Sequence, residues 1–132
     1  EVDGAGIAIA ALRSVAISGP NIFADSYGSG NAGIISITAP QLVIDNAFIT
    51  SESFADGNSG AVLLFGTDLS VSGSRISSEA ADSGDAGAIA LVGRDVTVED
   101  TVLLTNAAGS GAGGGIAFVA DASLTLVRNE AR

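Results

Sequence analysis

Four glycine-rich turns recur along this chain at one fixed interval. Gly30-Asn31-Ala32-Gly33, Gly57-Asn58-Ser59-Gly60, Gly84-Asp85-Ala86-Gly87 and Gly111-Ala112-Gly113-Gly114 lie 27 residues apart, and one further step back lands on Gly6. A 132-residue chain therefore holds nearly five such units. The register runs without a gap until one extra residue enters near Ala122. A fixed period of this length is the signature of a solenoid, in which each repeat buries its apolar side only against its neighbours.

Within each repeat the apolar positions alternate, which is the period of a strand. One pair of inward columns reads Ala8, Ile35, Val62, Ile89, Ile116 and Ala10, Ile37, Leu64, Leu91, Phe118. A second reads Val15, Leu42, Leu69, Val96, Leu124 and Ile17, Ile44, Val71, Val98, Leu126. A third holds Ile22, Ile49, Ile76, Leu103, followed two residues on by the small Ala24, Ser51, Ser78 and Thr105. Pro40, Gly66 and Gly93 mark a first corner, Asn46 and Gly73 a second, and the Gly-x-x-Gly block a third. The expected fold is all-β: a right-handed, single-stranded parallel β-helix over residues 1–132, with about five coils of 27 residues and three short strands per coil. An antiparallel barrel would need hairpin signals between consecutive strands, and it supplies no reason for the constant register. The column Gly6, Gly33, Gly60, Gly87, Gly114 is assigned a structural role, through either a positive φ or a close approach between coils.

The phrase Gly30-Asn31-Ala32-Gly33-Ile34-Ile35-Ser36-Ile37-Thr38-Ala39, with Leu42-Val43-Ile44 and Ile49-Thr50-Ser51, resembles the repeats of filamentous-haemagglutinin-like exoproteins of the two-partner secretion route, with a cyanobacterial flavour. The resemblance covers nearly the whole chain but includes no match to that family's secretion domain. It implies an extracellular or cell-surface shaft used in adhesion or surface architecture, and it carries over no catalytic residue.

Composition narrows the chemistry. Cys and His are absent, and the formal net charge is −10. Zinc fingers, thiol nucleophiles and Ser-His-Asp triads are thereby excluded. With no Lys and a pI near 4.1, nucleic acid is not an expected partner. No apolar run approaches the ~20 residues that span a bilayer, so membrane insertion is not expected either.

Three constellations remain. Carbohydrate-acting enzymes also use β-helices, and Arg94 and Asp95 stand near Asp68 and Asp121 on adjoining coils. An enzyme or carbohydrate-binding module is the alternative reading, but a gapless register leaves no room for the long loops that shape a catalytic cleft, so no catalytic residue is assigned. Asp25, Glu52 and Glu79 form an acidic ladder ending at Asn106. Carboxylates stacked about 4.8 Å apart repel by about 0.9 kcal/mol per pair even in water, and calcium would relieve this. The ladder is a weak metal candidate, and no cofactor is otherwise expected. The calcium-binding nonapeptide pattern fails because Ile89 stands where its Asp should be, and the column Phe23, Thr50, Ser77, Leu104 is too irregular to bind ice.

The first strand departs most from alternation. Its outward columns read Ile9, Ser36, Leu63, Ala90, Ala117 and Ala11, Thr38, Phe65, Val92, Val119. Clustered apolar side chains on an otherwise wet rod mark a contact face. Leu63, Phe65, Val92 and Val119 are therefore the expected interface, with other copies or other coils of the same parent protein as partners. The chain opens and closes inside repeat pattern, so it reads as a segment of a longer solenoid or a fibre subunit, joined end to end and laterally.

Overall fold

The computed structural model describes residues 3–132. Five coils stack on one another. The first is β1 (Ile7–Ala10), β2 (Ser14–Ser18) and β3 (Asn21–Phe23); the second is β4 (Ile35–Thr38), β5 (Gln41–Asp45) and β6 (Phe48–Ser53). The third holds β7 (Val62–Ser72) and β8 (Arg75–Ala80), the fourth β9 (Ile89–Glu99) and β10 (Val102–Ala107), and the fifth β11 (Ile116–Val127) and β12 (Glu130–Ala131). Every strand pairing among the described residues is parallel and joins one coil to the next. The chain is an all-β solenoid of about five turns, about 27 residues apart. Among the described residues no helix is long and apolar enough to cross a membrane.

The inward columns close into one core. Ile35, Ile37, Leu42, Ile44, Ile49, Val62, Leu64, Ile76, Ile89, Leu91 and Leu103 are fully buried. Rows of like residues pair directly, as in Leu42↔Leu69↔Val96 and Ile49↔Ile76↔Leu103. The extra residue expected near Ala122 is present as a register shift between Ala120 and Ser123.

Two details differ from the expectation. In coil 1 the pairs are Ile7↔Ile35 and Ile9↔Ile37, so Ile7 and Ile9 point inward and Ala8 and Ala10 outward. Burying two isoleucines instead of two alanines gains more apolar area, at about 25 cal/mol per Å². That gain outweighs keeping the 27-residue spacing. The slack is absorbed at the first corner, where Leu12 is 96% exposed. The same slip removes Gly6 from the glycine column: Gly33 packs on Ala5, and Gly6 lies beside Ile34. The second difference concerns strand number. Three strands per coil hold for coils 1 and 2, whereas in coils 3 to 5 the first two merge into one bent strand paired through Gly66↔Gly93↔Ala120. Pro40, which has no N–H to give a ladder, interrupts coil 2 at the equivalent corner.

The second and third corners use different geometry. At the second, Gly19 (φ 75°), Asn46 (49°), Gly73 (55°), Asp100 (48°) and Arg128 (49°) all adopt the left-handed conformation. At the third, the requirement is close approach: none of Gly33, Gly60, Gly87 and Gly114 has positive φ. A Cβ on Gly33, Gly60, Gly87 or Gly114 would fall inside 3.0 Å of a carbonyl of the preceding coil, those of Ala5, Gly33, Gly60 and Gly87 respectively. Inward hydroxyls tie this corner down. Ser51 Oγ donates to the Gly33 carbonyl at 2.6 Å and accepts from the Gly60 N–H at 2.9 Å. Ser78 Oγ repeats this with the Gly60 carbonyl (2.8 Å) and the Gly87 N–H (2.9 Å).

Two outcomes are expected from this packing. Truncating Ile89 to Ala removes a fully buried side chain held between coils that cannot collapse, and should cost about 2–5 kcal/mol in urea unfolding; a loss under about 0.5 kcal/mol would contradict its inward placement. Gly87→Val should lower the melting temperature well below that of Thr67→Val, a like substitution at an exposed position, and equal melting temperatures would remove the close-approach argument.

Candidate functional site

Outward side chains on the third strands form the acidic rung. Glu52 pairs with Glu79, which pairs with Asn106, and Asp25 stands one coil above Glu52. Each carboxylate has its own protein partner. Asp25 Oδ1 accepts from the Thr50 hydroxyl (3.0 Å) and the Glu52 N–H (2.9 Å). Glu52 Oε1 accepts from the Ser77 hydroxyl at 2.8 Å, and Glu79 Oε1 pairs with Arg75 at 2.8 Å. Thr50 and Ser77 are consequently buried although they lie on the outward side of the strand. Burial pushes the Glu52 carboxyl above its ordinary range; the Ser77 hydrogen bond opposes the rise, and the charges of Glu79 and Asp25 add to it, while Arg75 lowers it. Among the described residues no three or more His, Cys, Asp or Glu side chains are grouped to hold a metal ion. Asp25, Glu52 and Glu79 make a hydrogen-bonded ladder.

Arg94, Asp95, Asp68 and Asp121 gather at the first corner. Arg94 and Asp95 are 3.9 Å apart and largely exposed, a geometry that contributes about 0–1 kcal/mol. A shallow depression of about 450 Å³ lies beside them, bordered by Thr38, Pro40, Phe65, Thr67, Arg94 and Asp121. A second, of about 430 Å³, is lined by Gln41, Val43, Asp68, Asp95 and Thr97. Asp68 pairs directly with Asp95, and Asp95 Oδ1 accepts from the Ser123 hydroxyl at 2.6 Å. Both depressions are open to solvent, with hydrogen-bonding groups along the rim and Phe65 and Val92, or Val43 and Leu69, on the walls.

The four residues of the expected contact face come together on the first strands. Phe65, Val92 and Val119 stack in one ladder, and Leu63 heads the neighbouring one above Ala90 and Ala117. Leu63, Phe65 and Val92 are half-buried, and Val119 is 48% exposed. Ile9 and Ala11 are not part of these ladders, since Ala8 and Ala10 take the outward places in coil 1.

Two surface ladders escaped the sequence reading. Tyr27 and Phe54 stack at the third corner with ring centroids 4.8 Å apart and planes 6° from parallel. Their spacing of 27 residues was the available signal. The Asn column is functional within the corner itself: Asn31 Oδ1 accepts the Asn58 N–H (2.8 Å), Asn58 Oδ1 the Asp85 N–H (2.7 Å), and Asp85 Oδ1 the Ala112 N–H (2.7 Å).

The Glu52 environment has a pH consequence. Its folded carboxyl sits above the unfolded value, so ionisation costs stability at neutral pH. That cost disappears as pH falls through the raised value to below the ordinary 4.5. Glu52→Gln keeps an acceptor for Ser77 and should raise the melting temperature at pH 7, with the gain vanishing by about pH 4. A gain that persists unchanged at low pH would assign the effect to something other than ionisation.

Comparison of the chain with protein-family models, with curated proteins and with solved structures found no match.

Proposed function

We propose that this chain is a structural shaft: a non-catalytic β-solenoid segment of an extracellular bacterial surface protein or filament, with its first-strand face used for lateral packing. The observation that carries this reading is the corner economy of the fold. The first and second corners are two or three residues long in every coil, so no inserted loop stands over the depressions beside Arg94 and Asp95. Catalytic sites need groups held in water-excluding, preorganised surroundings, whereas this Arg–Asp pair lies open to solvent.

Charge placement supports the lateral face. All 20 charged residues lie outside the first strands, at 7–10, 35–38, 62–65, 89–92 and 116–119. For a chain of net charge −10, this is the face on which a like neighbour meets least repulsion. Its size sets a condition. Five coils about 4.8 Å apart and four residues of about 3.3 Å give roughly 300 Å² per copy, well under the ~800 Å² per partner of a stable pair. Lateral packing therefore works only when the face is repeated along a longer rod.

The discriminating experiment is a polysaccharide panel read for new reducing ends and for unsaturated lyase products. No turnover is expected. Cleavage that is lost on Asp95→Asn or Arg94→Ala would replace the shaft by the carbohydrate-acting alternative. In elongated assemblies, Phe65→Ser with Val92→Ser should abolish side-by-side bundling and leave the β-sheet circular dichroism unchanged; unaltered bundling would discard the lateral face.

A further inference from the structure

Four of the chain's six aromatic side chains lie on the third strands or at the corner that follows them, all in coils 1 and 2. Phe23 and Phe48 are each 51% exposed, Phe54 47% and Tyr27 79%. Rings clustered in water mark a surface that something else covers. This face runs along the side of the stack, away from the uncharged first strands.

The pairing register places Asn21, Phe48 and Arg75 in one outward column. Asp25, Glu52 and Glu79 occupy another, four residues further along each strand. Coil 3 satisfies its own part of the face. Arg75 pairs with Glu79 at 2.8 Å, and Ser77 between them is fully buried. Coils 1 and 2 have no such cation, because Asn21 and Phe48 stand where coil 3 has Arg75. Asp25 and Glu52 are nevertheless held in place, each through one oxygen: Asp25 Oδ1 by Thr50 and the Glu52 N–H, Glu52 Oε1 by Ser77. Their second oxygens, Asp25 Oδ2 and Glu52 Oε2, accept no hydrogen bond among the described residues. Burial, and then the charges of Glu79 and Asp25, hold the Glu52 carboxyl above its ordinary range, against the Ser77 hydrogen bond and Arg75.

A guanidinium can lie on an aromatic ring and at the same time fork onto a carboxylate. Both contacts gain when the receiving groups are already fixed. From this arrangement we infer that the third-strand face of coils 1 and 2 docks an arginine-bearing basic segment of another protein, one guanidinium lying on Phe48 and pairing with Glu52 as Arg75 pairs with Glu79 one coil on. Phe23 borders that place diagonally, and the stacked Tyr27–Phe54 pair borders it beyond the carboxylates. Charge decides the kind of partner. Three carboxylates against one arginine repel a second copy of this chain, whose net charge is −10. A neutral glycan could stack on the rings, but it would take the carboxylates out of water without an opposite charge to offset the cost. Docking on this side adds a partner to the shaft and does not depend on lateral packing.

The test is an NMR titration of the 132-residue chain with peptides of alternating Gly and Arg, Gly and Lys, or Gly and Asn, and with neutral gluco- and manno-oligosaccharides. The Arg peptide should bind, with its largest amide shifts in β6. The Lys peptide should bind about threefold or more weakly, since an ammonium neither stacks nor forks. Asn peptide and sugars should give no saturable shifts. Phe48→Ser and Glu52→Gln should each weaken the Arg peptide about threefold to tenfold. Because Glu52→Gln is also expected to raise the melting temperature, weaker binding in that variant is not a folding defect. Asp45→Asn makes the same change of net charge on the second strand and should leave the affinity within about twofold. Phe48→Arg copies coil 3 into coil 2; its arginine should occupy Glu52 and weaken binding about tenfold. Arg and Lys peptides that bind alike and ignore Phe48→Ser and Glu52→Gln would reduce the effect to diffuse attraction to an acidic rod, and overturn the docking site. Absence of Arg-peptide binding would overturn it as well, and sugar binding that is lost in Phe48→Ser would replace it by a glycan site. Each of these outcomes leaves the shaft reading to its own polysaccharide test.

Discussion

The parallel hydrogen-bond ladder between coils is the constraint on which the rest depends. It holds successive coils at a spacing near 4.8 Å, and everything that travels from one coil to the next must fit that distance. Like residues stack because a column of Ile, Leu and Val fills the interior at constant height. Glycine stands at the third corner because the backbone of one coil lies against the carbonyls of the previous one, leaving no volume for a Cβ at Gly60, Gly87 or Gly114. The buried hydroxyls of Ser51 and Ser78 follow from the same crowding. A corner pressed into the interior leaves N–H and C=O groups away from water, where each unmet group costs about 1–3 kcal/mol. Small hydroxyl side chains reach them without adding bulk.

Most of this architecture is legible in the sequence because the solenoid repeats its evidence. Each inward position is sampled four or five times, so a column such as Leu42, Leu69, Val96 identifies a face more securely than one strand could. What was not legible belongs to single coils. Ile7 and Ile9 are misplaced by a fixed 27-residue step because nothing in the period announces the three-residue corner at Leu12; only the competition between burying isoleucine and burying alanine decides it. The chemistry of the acidic rung was half legible. The column Asp25, Glu52, Glu79 is plain, but the Thr50 and Ser77 hydroxyls that satisfy it stand 25 residues from their carboxylates, not 27. A search along strict columns passes over diagonal partners.

Electrostatics divides the surface in the same way as the strands. The first-strand segments carry no charge, the third strands carry the carboxylate ladder, and most remaining acids lie on the second-strand segments, as Asp45, Asp68, Asp95 and Glu99 do, or at the corners. Hydroxyl groups of Thr50 and Ser77 donate to the ladder's carboxylates at close spacing. Glu52, the most crowded member, still has its carboxyl raised by burial, with neighbouring carboxylates adding to the effect. A rod of this composition repels copies of itself over most of its circumference and is least protected along one uncharged strip.

The two kinds of irregularity in the stack also differ in what they cost. A strand can slip by one residue against its neighbour and still pair, provided that a corner extrudes the surplus, as Leu12 does. The third corner has no such freedom, since a single methyl in the glycine column meets backbone on the preceding coil. Corners one and two therefore set which coils match in length, while corner three sets whether two coils can close to full contact at all. This separation explains how coil 1 tolerates a 28-residue offset in its first strand and yet keeps its Gly33 contact with Ala5: the backbone carbonyl of Ala5 serves the coil below as well as a glycine would.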